Sequence, residues 1–294
     1  MVSAEESVRT SRPPKHLSDL DDQWLIETHF FGLSSIAKSG AQAGKKVLHN
    51  PKKQDEYIPP DVLMEAIDAS VDALEGLIHA SIRTGEHRVE YHDYDMDKWL
   101  EYCILETDRY PIIKVHSLRL VYGEDDDAIV LWDIPLDMVQ KGGANSLMGV
   151  LRILPQTGSY LGTGGVNPML FGGMLNAHHA PSLFRVEYDY GLDGIPGDPD
   201  RKTLPAEIVR AIGLQAAIHP LNILGDLVIG AGVASYSISM DGISRSVNTT
   251  ASAENAAFSA RILQHHKELR GDMNVQGLIP ALQAKWRRTS IALL

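Results

Sequence analysis

The sequence contains a single cysteine, Cys103, among its 294 residues. One cysteine excludes an internal disulfide and any zinc cluster built from cysteines, so nothing in the sequence indicates an oxidising compartment. Basic residues are fewer than acidic ones. The sequence has 27 Lys and Arg and 38 Asp and Glu, which give a net charge of -11. This balance argues against a dedicated binder of nucleic acid or of an anionic membrane, since both need a basic surface.

Long hydrophobic runs are missing as well. Residues 1–14 contain no apolar run, which predicts no secretory signal and a protein that stays in the cytoplasm of the cell that makes it. The most apolar stretch, residues 221–238, includes Asn222 and Asp226 and falls short of the roughly 20 apolar residues of a membrane-spanning helix. We therefore expect no membrane association. The composition, 44% hydrophobic and 22% charged, is typical of one large globular domain or two ordinary ones.

A stripe of apolar residues predicts a long helix over residues 60–82. From Leu63 to Ile78 the apolar side chains recur at spacings of three and four, which places them on one helical face. Residues 1–58 are polar by comparison and predict an extended or disordered arm. An apolar patch around Trp24 either docks on a partner or forms a short helix packed on its own domain.

The middle of the chain reads as antiparallel β structure over residues 86–190. Two apolar runs within residues 112–134 flank an acidic turn at 124–127, which predicts a hairpin whose tip faces water. Residues 156–181 are rich in Gly, Pro and Asn and predict a long loop. Residues 184–190 alternate apolar and charged side chains, the pattern of a half-buried antiparallel strand.

The last third is predicted to be helical over residues 204–290, with Pro220 stopping or kinking the first helix. Residues 225–242 are dense in small side chains and form either a tightly packed internal segment or a contact between subunits. The fold class is therefore α+β, with a long N-terminal helix, an antiparallel β portion and a helical C-terminal portion. The predicted parts are an arm at 1–58, a helix plus antiparallel β domain at 59–200 and a helical segment at 201–294.

No catalytic, cofactor or metal site is predicted from the sequence. Residues 93–97 resemble the start of a calcium loop, but Lys98 occupies the position that requires glycine. The His-His pair at 265–266 does not share a helix face and forms no two-ligand site by itself. We expect no enzymatic activity, and the alternative is a hydrolase or modifying enzyme that uses His178, His179 and nearby carboxylates.

The C-terminal tail is the predicted partner-binding element. Residues 261–294 carry six basic and two acidic side chains, a local charge of +4 on an acidic protein, which favours docking on an acidic neighbour. Trp and Arg dominate buried interface hot spots, and we expect removal of residues 277–294 to spare folding but abolish attachment. An ordinary frayed terminus is the alternative. The predicted binding residues are Lys285, Trp286, Arg287, Arg288, Leu293 and Leu294.

Two segments resemble proteins of bacteriophage particles. The long helix, a strand with Tyr91-His-Asp93 and the run Tyr110-Pro-Ile-Ile-Lys-Val-His-Ser-Leu118 are similar to the layout of adaptor-type head-tail connector proteins. Residues 225–253, which include Asp241-Gly-Ile-Ser-Arg-Ser246, resemble a segment found in phage structural proteins.

The resemblance implies a structural virion protein that forms a ring in the neck and joins the portal and capsid to the tail. The resemblance also implies its partners, which are about twelve copies of itself, the portal protein and downstream tail or neck proteins. DNA would pass through the ring without being bound specifically, and no cofactor is implied. The alternative within the virion is an accessory protein that binds a surface.

Overall fold

The computed structural model divides the chain into two units. The helical unit comprises Met1–Ile78 and Leu204–Lys285, and the sheet unit comprises His79–Thr203 and Trp286–Leu294. The residues that the structure describes are 14–30, 33, 37–39, 45–50, 56–95, 104–123, 128–140, 149–153, 179–199, 201–229, 235–240, 243–248, 258–272 and 275–286.

The predicted long helix is present and packs against a second long helix of the helical unit. Its apolar stripe is its buried face, and it ends at Ile78, where the following residue His79 has a φ of +57°. The helices are α1 (Asp22–His29), α2 (Pro60–Ile78), α3 (Ala206–Ile229), α4 (Ser259–Arg270) and α5 (Leu278–Trp286).

Helix α1 lies where an extended arm was predicted. The side chain of Asp21 accepts a hydrogen bond of 2.7 Å from the backbone N–H of Trp24 and so caps the helix. Leu25, Ile26 and Phe30 are buried, because the apolar patch that they form packs inside the chain's own fold. The alternative of a short packed helix is therefore the correct interpretation of this patch.

Helix α3 continues through Pro220, which therefore does not stop it. Residues Ala206–Val228 are long and apolar enough to cross a membrane, but 56% of the apolar 18-residue window within them is buried in the protein, as in the core helix of a folded domain. Gly213 allows a close approach to α1, since a Cβ there would lie 2.0 Å from Nε2 of His29.

Three two-stranded antiparallel sheets accompany the described helices of this unit. Two of them interrupt the part of the chain that was predicted to be helical, one between α3 and α4 and one between α4 and α5. The pairs are β1 (Ala37–Ser39) with β2 (Lys46–Leu48), β10 (Ser235–Met240) with β11 (Ile243–Asn248), and β12 (Gly271–Asp272) with β13 (Val275–Gln276).

The sheet unit contains a four-stranded sheet in the order β3-β9-β5-β6 and a three-stranded sheet in the order β4-β8-β7. All of their pairings are antiparallel. Leu105 and Leu151 of the smaller sheet share one hydrophobic core with Val186 and Tyr188 of the larger sheet. The strands are β3 (Gly85–Asp95), β4 (Ile104–Glu106), β5 (Ile112–Tyr122), β6 (Ile129–Asp133), β7 (Val139–Gln140), β8 (Val150–Ile153) and β9 (His179–Tyr190).

The α+β class is confirmed, whereas the division of the chain differs from the predicted one. Helix α2 belongs to the helical unit and not to the β domain, because its buried face packs against α3. The predicted loop at 156–181 lies mostly outside the described residues, and its last three residues belong to β9.

Candidate functional site

The central strand β9 presents two chemically different faces, as its sequence predicts. Phe184, Val186 and Tyr188 belong to the hydrophobic core. Glu187 and Asp189 point to the opposite face of the sheet because side chains alternate along a strand. Asp189 is nevertheless only 2% exposed, so this face holds a buried carboxylate that the alternation alone does not predict.

Histidines lie at irregular positions of the two strands that flank β9. The pairing with β9 shifts between Gly85 and Arg88 in β3, and again between Val115 and Ser117 in β5. His87 and His116 lie at these two irregularities. Such bulges redirect a side chain away from the regular alternation and are frequent beside functional sites. Both imidazole rings are thereby brought to the carboxylates of β9.

The backbone of His87 is held in an unfavourable conformation. Its φ is +51°, a region that residues other than glycine rarely adopt. The backbone N–H of His87 donates a hydrogen bond of 2.8 Å to Oδ1 of Asp189. This bond to a buried carboxylate stabilises the bulge that carries His87.

We call His87, His116, Glu187 and Asp189 the histidine cluster. Nδ1 of His87 lies 2.8 Å from Oε1 of Glu187, and Nε2 of His116 lies 2.7 Å from Oδ2 of Asp189. The two imidazole rings are stacked, with centroids 4.2 Å apart and planes inclined by 17°. The hydrogen bond to Glu187 raises the pKa of His87, and the same bond lowers the pKa of Glu187. Two imidazoles and two carboxylates in this arrangement can bind protons or a cation.

Glu90 forms a second polar group, which is closed to solvent. Its carboxylate accepts hydrogen bonds from the Tyr188 hydroxyl at 2.6 Å, from the backbone N–H of Asp108 at 2.9 Å and from Nε of Arg88, and lies 3.2 Å from Nε2 of His92. Burial opposes the ionisation of Glu90, but these hydrogen bonds outweigh it and lower its pKa to about 2. The group has a structural role, since its acceptor atoms are engaged within the protein.

Replacing Glu90 with Gln is expected to lower the free energy of unfolding by about 3 kcal/mol, because it leaves buried donors without a charged acceptor. The matched control is Glu86→Gln, which makes the same change at an exposed position of the same strand and should alter stability by less than about 0.5 kcal/mol. Urea unfolding at pH 7 measures both. Equal effects of the two substitutions would contradict the role assigned to Glu90.

The four-stranded sheet ends in an exposed apolar edge. Among the described strands, β6 pairs only with β5. Ile129, Val130 and Leu131 are 63%, 50% and 41% exposed. At the opposite edge, β3 pairs only with β9 in the described part of the chain, and its Val89 is 38% exposed. Exposed apolar edges of this kind favour pairing with another chain.

The predicted partner-binding residues are only partly described. Lys285 forms an ion pair of 3.0 Å with Glu207, and Trp286 is only 6% exposed. The Trp286 ring is therefore packed in the protein's own fold and is not presented to a partner. Arg287, Arg288, Leu293 and Leu294 lie outside the described residues.

The premise that few core contacts link residues 277–294 to the rest of the chain is wrong for the described part of this segment. Leu282 is buried, and the Gln283 side chain donates a hydrogen bond of 2.9 Å to the backbone carbonyl of Leu77. Helix α5 therefore belongs to the helical unit through Lys285. A docking role remains proposed only for the residues that follow this helix.

The other motifs are dispersed over the molecule. Asp93 accepts a hydrogen bond from the backbone N–H of Ser182 and lies 3.7 Å from Nε2 of His179. His178 and Asp97 lie outside the described residues, as does the acidic turn at 124–127.

The pair at 265–266 also fails to form a joint site. His265 lies edge-on to the ring of His29, with centroids 6.2 Å apart. Burial lowers the pKa of both His265 and His266, which is typical of histidines held neutral inside a fold.

Comparison with known proteins identifies no relative, so a function can be assigned only from the residues and their geometry. No protein-family model matches the sequence, and no curated protein matches it at a significant level.

Proposed function

We propose that this chain is a structural subunit of a bacteriophage neck, where copies of it form a ring between the portal and the tail. The resemblance of its sequence to adaptor-type connectors supports this proposal. The structural observation that carries it is the exposed apolar edge of β6, because a ring subunit needs a surface that pairs with the next copy.

The topology of the four-stranded sheet suits repeated pairing in one direction. Its strands alternate in direction from β3 to β6, so β3 of a second copy placed beside β6 continues the antiparallel order. Such a contact joins two different surfaces, and a rotation that repeats it closes into a ring. Main-chain hydrogen bonds and the burial of Ile129, Val130 and Leu131 would stabilise the pairing.

The charge of the protein is compatible with a ring through which DNA passes. At a net charge of -11, the protein as a whole repels the phosphate backbone, since binding of DNA needs a basic surface. The proposed partners beyond the ring are the portal, through residues after α5, and the downstream tail or neck proteins. The proposed location is the head-tail interface of the virion, after synthesis in the host cytoplasm.

Replacing Val130 with Lys is expected to dissociate the ring into folded monomers, because an edge lysine opposes pairing with another strand. The matched control is Val275→Lys, which makes the same change at a position 67% exposed in the β12–β13 hairpin. Light scattering after size exclusion and negative-stain electron microscopy, with and without portal, measure assembly. A ring that persists in the Val130 variant would place the contact elsewhere, and a wild-type monomer that binds virions would favour the accessory protein.

A further inference from the structure

We propose that His87, His116 and Asp189 bind a divalent transition-metal cation, for which Zn²⁺ is the best match. These residues lie on three neighbouring strands, β3, β9 and β5. A bound ion would therefore link the two flanking strands, β3 and β5, to the central strand β9. The proposal is independent of the ring, since it concerns a site within one copy of the sheet unit.

The donor set fits this class of ion. One ligand atom from each of the three side chains lies within 4.8 Å of the other two. Two imidazole nitrogens and one carboxylate oxygen are a common protein ligand set for zinc, which takes a further ligand such as water in an open fourth position. Mg²⁺ and Ca²⁺ prefer sites made of oxygen ligands, so the two imidazoles favour a transition metal.

Glu187 prepares His87 for binding. A carboxylate only accepts hydrogen bonds, so the contact of 2.8 Å between Nδ1 of His87 and Oε1 of Glu187 places the ring proton on Nδ1. Nε2 of the neutral ring then offers its lone pair to a cation. A carboxylate that holds the second nitrogen of a metal-binding histidine is a recurrent outer-shell arrangement, which fixes the tautomer of the ring.

His116 and Asp189 supply the buried side of the site. Nε2 of His116 is buried and forms no hydrogen bond, although Oδ2 of Asp189 lies only 2.7 Å away. At this distance the imidazole and the carboxylate can interact as an ion pair, and a cation that takes both groups as ligands would replace that contact. Both groups lie on the buried side of the cluster and can supply two of the three ligands of a cation.

Metal binding requires one local movement. A ligating nitrogen directs its lone pair in the plane of its ring, and rings stacked at 4.2 Å do not direct theirs to one point. The His87 side chain is 63% exposed, whereas that of His116 is 20% exposed, so His87 is the ring that turns. Loss of the stack on binding is a specific signature of this site.

The test uses the full chain without a histidine tag, freed of metal with EDTA and titrated calorimetrically with Zn²⁺ at pH 7.5. The expected result is one ion per chain, with affinity reduced at least 100-fold in His87→Ala and Asp189→Asn and about 10-fold in Glu187→Gln, as for outer-shell partners. The matched control is His179→Ala, which removes an exposed histidine that lies near one carboxylate and should leave the affinity unchanged.

Two further measurements separate the site from general effects on folding. Co²⁺ should give the visible absorption of a nitrogen- and oxygen-ligated ion in the wild type and lose it in His87→Ala, whose exposed side chain can be removed with the fold intact. Histidine ring resonances of His87 and His116 should shift together on binding. A wild-type chain that binds no Zn²⁺, or a His87→Ala variant that binds it equally well, overturns the proposal. Ring assembly in EDTA is measured separately, so failure of the metal site and failure of the proposed ring are distinguishable.

Discussion

Replacing Leu74 with Asp is expected to unfold the helical unit. Leu74 is 4% exposed and lies on the buried face of α2, which packs against α3. Burial of a carboxylate on this apolar face should cost about 4 kcal/mol or more. This is a large part of the 5–15 kcal/mol or so that stabilises a typical protein. Circular dichroism at 222 nm during thermal unfolding measures the effect.

The matched control for this substitution is Met64→Asp on the same helix. Met64 is 39% exposed and lies near the N-terminus of α2, where a negative charge interacts favourably with the helix dipole. The control should therefore retain the melting temperature of the wild type within a few degrees. If Leu74→Asp were as stable as Met64→Asp, the buried face of α2 would be wrongly assigned.

Lowering the pH from 7 to 5 is expected to destabilise the protein through His29. Burial, followed by the nearby charges of His265 and Arg261, lowers the pKa of His29 to about 4 from its ordinary value of 6.5. Between these values the unfolded state binds the proton and the folded state does not. The stabilisation is therefore complete above pH 6.5 and is lost as the pH falls toward 4. The other charged groups that act on His29 are Glu268, which favours its protonation, and Arg210, which opposes it.

The expected loss between pH 7 and pH 5 is about 2 kcal/mol, since each pH unit below the unfolded pKa contributes about 1.4 kcal/mol. Urea unfolding at the two pH values measures it. Glu90 does not contribute in this range, because its folded pKa of about 2 affects stability only below its ordinary value of 4.5. The variant His29→Gln should lose a large part of the pH dependence and keep the part that comes from His265 and His266, whose pKa values burial also lowers, whereas the exposed control His179→Gln should keep the whole of it. A wild-type protein equally stable at both pH values would contradict a buried neutral His29.

The sequence determined the helices and strands whose side-chain periodicity is unbroken. The stripe from Leu63 to Ile78 predicted the buried face of α2, because positions three and four apart share a helix face. The alternation of apolar and charged residues along 184–190 predicted β9 and its core-facing side, because every second side chain of a strand lies on the same face. Both signals are local, since each depends only on spacing within one element.

The tertiary structure decided which elements share a core. Helix α2 precedes the strands in the chain but packs with α3, and α1 was predicted as an arm because eight residues carry too short a pattern to reveal a helix. Trp286 was predicted to bind a partner from its residue type and the positive charge around it. It is instead buried in the chain's own fold. Burial is set by partners distant in sequence, which spacing does not record.

The histidine cluster also depends on contacts between residues that are distant in sequence. His87 and His116 meet Asp189 because β3 and β5 each shift their register against β9, 100 and 70 residues or so away along the chain. A shift of one residue in register reverses the face on which every following side chain lies. Sequence alone determined that the carboxylates of β9 stand on the face opposite the core. Only the pairing of the three strands decided that two histidines would join them, because the bulges that place them there are properties of the assembled sheet.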